Sequence, residues 1–207
     1  MKAIIFDFDG VILNSVNVKT EAFKELYKQY GSAVVEKVEK YHLENGGISR
    51  FEKFKFFHKN FLNIDLNSDE IDQMAKEFSD LVFEKVCNSN FIPGAKEFLK
   101  YSYKNYLNFI CTGTPQNEII KILKRKSLSR FFRDVYGSPI SKENIISKIL
   151  KKYNLNKSDV LFIGDAMTDY NAAKLSGIKF IGIENNDTEF PNSTIMVKNL
   201  MEITNLI

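Results

Sequence analysis

Cysteine is scarce. The 207 residues hold two, Cys87 and Cys111, and neither lies in a C-x-x-C pattern. That leaves no disulfide framework, and a reduced, cytoplasmic chain is expected. A charge excess is also missing. There are 29 basic and 26 acidic residues, a formal net charge of +3, with no dense basic patch. No nucleic-acid or membrane partner is implied. No apolar stretch approaches the roughly 18 residues needed to span a membrane. The apolar run near the start is too short for a signal peptide and meets acids at once, so secretion is not expected. Internal repeats and low-complexity tracts are absent. The two histidines, His42 and His58, stand alone and are not expected to be ligands.

What is present suffices for a sizeable core. Apolar residues make up 44% and charged residues 27%, ordinary values for a globular protein. The length suits one medium domain, or a core domain with a smaller one. Residues 3–6 read as a buried strand, and 106–111, 160–163 and 178–183 look alike, with 134–137 a weaker candidate. Helical patterns lie at 94–104, 115–126, 141–153 and 167–176. Strands alternating with helices predict an α/β, Rossmann-like parallel sheet with helices on both faces. Thr114 and Ser141 read as N-caps, Pro115 as a first helical residue, and Pro93 as the opening of a helix.

The stretch from 15 to 90 differs, because it shows no convincing strand. Ala22, Phe23, Leu26, Tyr27 and Tyr30 follow helical spacing, as do Ile71, Met74, Ala75, Phe78, Leu81 and Val82. "SRFE" (49–52) and "NSDE" (67–70) match the capping-box pattern. A small all-helical domain at 15–90 is thus expected, inserted into a core of 1–14 and 91–207. Phe51, Phe54, Phe57 and Phe61 fit that insert's own core, with Phe51 near the cleft. Cys111 fits a small buried hydrophobe.

"IIFDFDG" puts two carboxylates, Asp7 and Asp9, after a run made to be buried. In a strand, i and i+2 share a face. Both would emerge at the carboxyl end of strand one, where open α/β sheets bind ligands, and Gly10 would let the chain turn. Two close carboxylates repel unless a cation is present. Mg²⁺ suits such a pair. Asp165 and Asp169, in "IGDAMTDY", follow another strand and would join them. Thr112 and Gly113, in "ICTGTP", suit a phosphate. Lys142 would offset the charge of phosphate and aspartates. Each feature alone has a bland reading as surface charge or a cap. Four of them in order at strand ends do not.

Together, "FDFDGVILNS", "ICTGTP", Lys142 and "IGDAMTDYNAAKLSG" resemble the four motifs of the haloacid dehalogenase-like superfamily, and they span nearly the whole chain. The insert resembles the C1-type helical cap of phosphoglycolate phosphatases and β-phosphoglucomutases. The resemblance implies that Asp7 is a nucleophile forming an aspartyl-phosphate and that Asp9 is the general acid/base. It implies Mg²⁺ held by Asp7, the Asp9 carbonyl and Asp165. Asp169 would support the metal site or Lys142, and Thr112, Gly113 and Lys142 would hold phosphate. "GGISR" (46–50) resembles the β-phosphoglucomutase loop whose arginine holds the distal phosphate. That would give Arg50 a specificity role, against a plain surface arginine. Gly46 and Gly47 favour a mobile loop. Lys19 lies near the position of a phosphonate-hydrolase cap lysine, but an exposed lysine on an amphipathic helix is the preferred reading. Asp9 argues against a dehalogenase, and "GDAMTD" looks more like a phosphatase than a mutase. The implied function is a phosphatase acting on a small phosphorylated metabolite, phosphoglycolate or a sugar phosphate, as a monomer or weak homodimer. The alternatives are a phosphosugar mutase and a non-catalytic binding protein.

Overall fold

A computed structural model of the chain describes residues 1–185 and 188–207. Among these residues, six strands form one parallel sheet. They are β1 (Ala3–Phe6), β2 (Leu107–Pro115), β3 (Asp134–Ser138), β4 (Val160–Gly164), β5 (Lys179–Ile183) and β6 (Met196–Val197). Their order is β3-β2-β1-β4-β5-β6. The five strands read from the sequence are all present. The sixth is only two residues long, too short for an alternation signal to register.

β1 is central and fully buried because apolar side chains cover both of its faces. Ile4 and Phe6 enter one core cluster with Phe98 and Leu99 of α5 (Ala95–Asn105) and Ile119 and Ile122 of α6 (Gln116–Arg125). Ala3 and Ile5 enter the other, with Ile145 and Ile149 of α7 (Lys142–Lys152) and Ala172 and Ala173 of α8 (Met167–Ser176). Helices therefore cover both faces of the sheet.

Between β1 and α5 the chain forms α1 (Val16–Tyr27), α2 (Ser32–Glu44), α3 (Arg50–Phe57) and α4 (Ser68–Asn88), with no strand among these described residues. Asn67 and Glu70 close a full capping box on α4, while on α3 only the Ser49 half forms. Phe54, Phe57 and Phe78 are buried around Phe23, with ring centroids 4.4–5.7 Å apart from it. Phe51 is only partly buried against this core. Tyr30 departs from the expected stripe, because α1 ends at Tyr27 and leaves it exposed.

Two predicted helix starts are corrected. Thr114 is no N-cap: β2 runs on to Pro115, which is itself the cap residue, and the Thr114 hydroxyl is used elsewhere. The helix after Pro93 starts at Ala95, behind Gly94. Ser141 does cap α7, accepting from the Asn144 amide.

On β3, Asp134 accepts from Tyr136, Tyr153 and Lys152. Partial burial works against its charge, but these hydrogen bonds outweigh it and hold the carboxyl down to about 2, from 3.8. A depressed folded value gives stability that is complete above the ordinary value and lost as pH falls through the folded one. Asp134→Asn is therefore expected to flatten the fall in melting temperature between pH 4 and pH 2, and circular dichroism melts across that window would check it.

Candidate active site

The strand order reverses direction between β1 and β4, and in open α/β sheets such a switch point opens a crevice at the strands' carboxyl ends. Asp7 lies one residue past β1 and Asp165 one past β4. The Asp7 amide donates to the Ile163 carbonyl at 2.9 Å, which fixes the first carboxylate against the neighbouring strand. Gly10 has φ +81°, and a side chain there would collide with the Asp165 carboxylate. Glycine thus makes the turn and lets β4's acid approach.

Asp7, Asp165 and Asp169 offer carboxylate oxygens all within 4.8 Å of one another. Lys142 is buried among them, with Nζ 3.3 Å from Asp7 Oδ2 and 2.5 Å from Asp169 Oδ1. The other Asp169 oxygen accepts from the Ala166 amide at 3.1 Å. Burial pushes the Asp7 carboxyl up to about 7; Lys142 opposes this, and the charges of Asp169 and Asp9 add to it. Burial, then the charges of Asp7 and Asp169, push Asp165 well above the carboxylate range. For Lys142, burial is outweighed by Asp169 and Asp7, which hold its amine above the ordinary value. Asp7 Oδ1 is buried with no hydrogen-bond partner among the described residues. An orphaned carboxylate oxygen inside a cluster short of positive charge fits a hard dication with oxygen ligands.

The Asp9 carboxylate lies outside this cluster, contrary to the simple i, i+2 expectation. β1 ends at Phe6, so the strand period does not reach it. Its oxygens accept from Ser15 at 2.7 Å, Thr114 at 2.9 Å and Lys19. Burial alone would raise its pKa, but Lys19's charge and the three hydrogen bonds hold it below the usual value. Lys19 is not the exposed lysine expected: its Nζ also reaches Thr114 Oγ1 at 2.7 Å. The sequence reading missed both Lys19 and Thr114. Ser15 and Lys19 are four residues apart and share a helix face, but nothing in the sequence showed that this face looks onto Asp9.

A cavity of about 550 Å³ lies over these groups, bounded by Asp7, Asp9, Thr112 and Gly113 on one side and by α1–α4 on the other. The loop of Gly46 and Gly47 is packed down here rather than free. Thr168 Oγ1 donates to the Gly46 carbonyl at 2.5 Å. A Cβ at Gly47, where φ is +79°, would meet Lys142 Nζ at 2.6 Å.

Arg50 borders the cavity but is no surface residue. It is 4% exposed, and its guanidinium is bidentate to Glu118 of α6, at 2.6 and 2.9 Å. It also donates to Ser79 at 2.7 Å and lies over the Phe78 ring. Its charge is thus matched within the protein, which leaves it poorly placed to hold a distal phosphate. Removing one partner of a buried pair strands the other charge. Glu118→Ala is therefore expected to cost about 3–5 kcal/mol in urea unfolding, with much of it recovered when Arg50→Met is added.

A family model described as haloacid dehalogenase-like hydrolase matches residues 4–183. A phosphorylated carbohydrates phosphatase of Thermotoga maritima is 26% identical over 187 residues, covering 87% of this chain and 84% of its own. A phosphoglycolate phosphatase of Vibrio vulnificus is 25% identical over 191 residues, covering 88% and 83%. Among solved structures, a β-phosphoglucomutase from Clostridium difficile superposes with a TM-score of 0.79 at 21% identity, over 98% of this chain and 93% of that one. A haloacid dehalogenase-like family protein from Streptococcus pneumoniae gives 0.75 at 20%, over 100% and 99%. At such identities the superpositions speak for the fold. With four motifs at the strand ends and a family match over most of its length, the chain belongs to the haloacid dehalogenase-like hydrolases.

Proposed function

We propose that the protein is a Mg²⁺-dependent phosphatase that hydrolyses a small phosphate monoester through an aspartyl-phosphate on Asp7. The observation that carries this reading is the buried Asp7 itself, with one orphaned oxygen, Lys142 beside the other, and a cavity in front. Asp7, Asp165 and the Asp9 carbonyl would hold the ion. Bound there, Mg²⁺ supplies the positive charge that keeps these acids ionised and offsets charge on the phosphoryl oxygens.

An Asp7 oxygen attacks phosphorus, and the bond from phosphorus to the ester oxygen breaks. Asp9 hands the leaving oxygen a proton, which it takes from the ester's monoanion, since the second ionisation of such esters lies near pH 6. Asp9 then removes a proton from water, which attacks phosphorus and frees both phosphate and Asp7. Lys19 and Thr114, by holding Asp9 as a carboxylate, suit it to this second step. Thr112, Gly113 and Lys142 hold the phosphoryl oxygens. Residues 15–90 serve as the cap that shuts out water and selects the substrate. Two free, buried cysteines agree with a reduced, cytoplasmic setting.

The Arg50–Glu118 pair favours a phosphatase over a mutase, because the arginine assigned to a mutase's distal phosphate is already engaged. The test is phosphate release from phosphoglycolate, hexose and pentose phosphates and nucleotides, with Mg²⁺ and with EDTA. Release should need Mg²⁺. Conversion of a hexose 1-phosphate to its 6-phosphate without release would mean a mutase. Neither activity on any ester would favour a binding role.

A further inference from the structure

The cavity contains a buried lysine that the proposed chemistry does not use. Lys53 is 1% exposed, yet it lines the cavity. The cavity's other cationic side chains each have a carboxylate: Lys19 has Asp9, Arg50 has Glu118, and Lys198 has Glu184. Lys142, just behind, has Asp7 and Asp169. Lys53 has none among the described residues. Its Nζ meets His42 Nδ1 at 2.6 Å and the His42 carbonyl at 3.4 Å, and it stands 5.7 Å from the Phe23 ring centroid.

His42 also lines the cavity, and its Nε2 is buried without a hydrogen-bond partner among the described residues. With Nδ1 accepting from the lysine, the ring proton sits on Nε2. The lysine therefore meets only uncharged acceptors, both on His42, and Nε2–H has no acceptor among the described residues. A buried amine lacking a counter-charge is costly, and a satisfied structural pair would carry an acid. Burial, together with the charges of Lys19 and Lys142, pulls the Lys53 amine well below its ordinary value. Burial and Lys53 hold His42 down to about 2, so the ring stays neutral. Lys53 lines the same cavity as Asp7, Asp9 and Thr112.

We propose that Lys53 and His42 form the subsite for a second anionic group, a carboxylate or a second phosphate, at the far end of the phosphate ester. This rests on the phosphatase reading and narrows it to doubly anionic substrates. The ligand's anion brings the missing counter-charge, and Nε2–H and the ammonium donate to its oxygens. Neutral sugar phosphates of the same size leave the ammonium without a counter-charge.

The test compares kcat/KM for 2-phosphoglycolate, ethane-1,2-diyl bisphosphate and 2-hydroxyethyl phosphate, with p-nitrophenyl phosphate as a control for turnover. The wild-type protein is expected to prefer an anion-ended ester over the neutral one by about 100-fold, the scale of a buried charge pair. Which of the two leads identifies the anion. Lys53→Met should collapse that ratio toward one, chiefly through KM, and Lys53→Arg should restore part of it. Equal wild-type rates for charged and neutral ends overturn the subsite while leaving the phosphatase standing, and that comparison needs no variant. Equal losses on all three esters in Lys53→Met also overturn it, since they mark a structural lysine. No turnover of any ester, p-nitrophenyl phosphate included, removes the phosphatase reading and this inference with it.

Discussion

Asp7→Asn is expected to lower phosphate release by at least about 10⁴-fold, the scale on which covalent catalysis fails when its nucleophile is removed. The substitution preserves shape and takes away one thing. A carboxamide has no charged oxygen to attack phosphorus, and the substituted side chain brings no negative charge to the Asp7–Asp165–Asp169 cluster. The fold should not suffer. The Asp7 carboxylate is buried and is repelled by Asp169 and Asp9, so neutralising it removes a cost in the metal-free protein. Rate and stability should therefore move in opposite directions: activity lost, melting temperature in EDTA unchanged or higher. Steady-state kinetics with p-nitrophenyl phosphate and a thermal melt on the same preparation would check both. A residual rate within tenfold of wild type would take the nucleophile's role from Asp7.

Asp9→Asn is expected to cost about 10²–10⁴-fold, as removal of a general acid/base does. The size of the loss should depend on the leaving group. An alkoxide needs a proton as it departs, whereas p-nitrophenolate hardly does. The loss in the first, phosphoryl-transfer step should therefore be larger for alkyl phosphates than for p-nitrophenyl phosphate. Pre-steady-state bursts separate this step from the hydrolysis of the aspartyl-phosphate, which should slow equally for both esters. A loss of the same size in the first step for every leaving group would show that Asp9 only holds the loop through Ser15, Thr114 and Lys19.

Much of the fold was legible because its signals are local. A parallel sheet buried on both faces leaves apolar runs such as 3–6 and 160–163, and β1 and β4 match them within one residue. The caps at Ser141 and Asn67 also depend only on neighbours in the chain. Thr114 misled because the same hydroxyl that could cap a helix can cross to Asp9, 105 residues away. β6 escaped notice because two residues carry no period.

The sequence alone determined the parallel sheet, the helical insert and the acids at the strand ends, since motif order and hydrophobic period follow from adjacent residues. Tertiary structure decided the state of the charges. Only folding brings Glu118 to Arg50, 68 residues apart, and so neutralises it. Only folding brings Lys19 to Asp9 and leaves Lys53 with His42 and no acid. Whether a charged side chain is solvated, paired or left waiting depends on what meets it across the fold in a low dielectric, and chain spacing does not encode that.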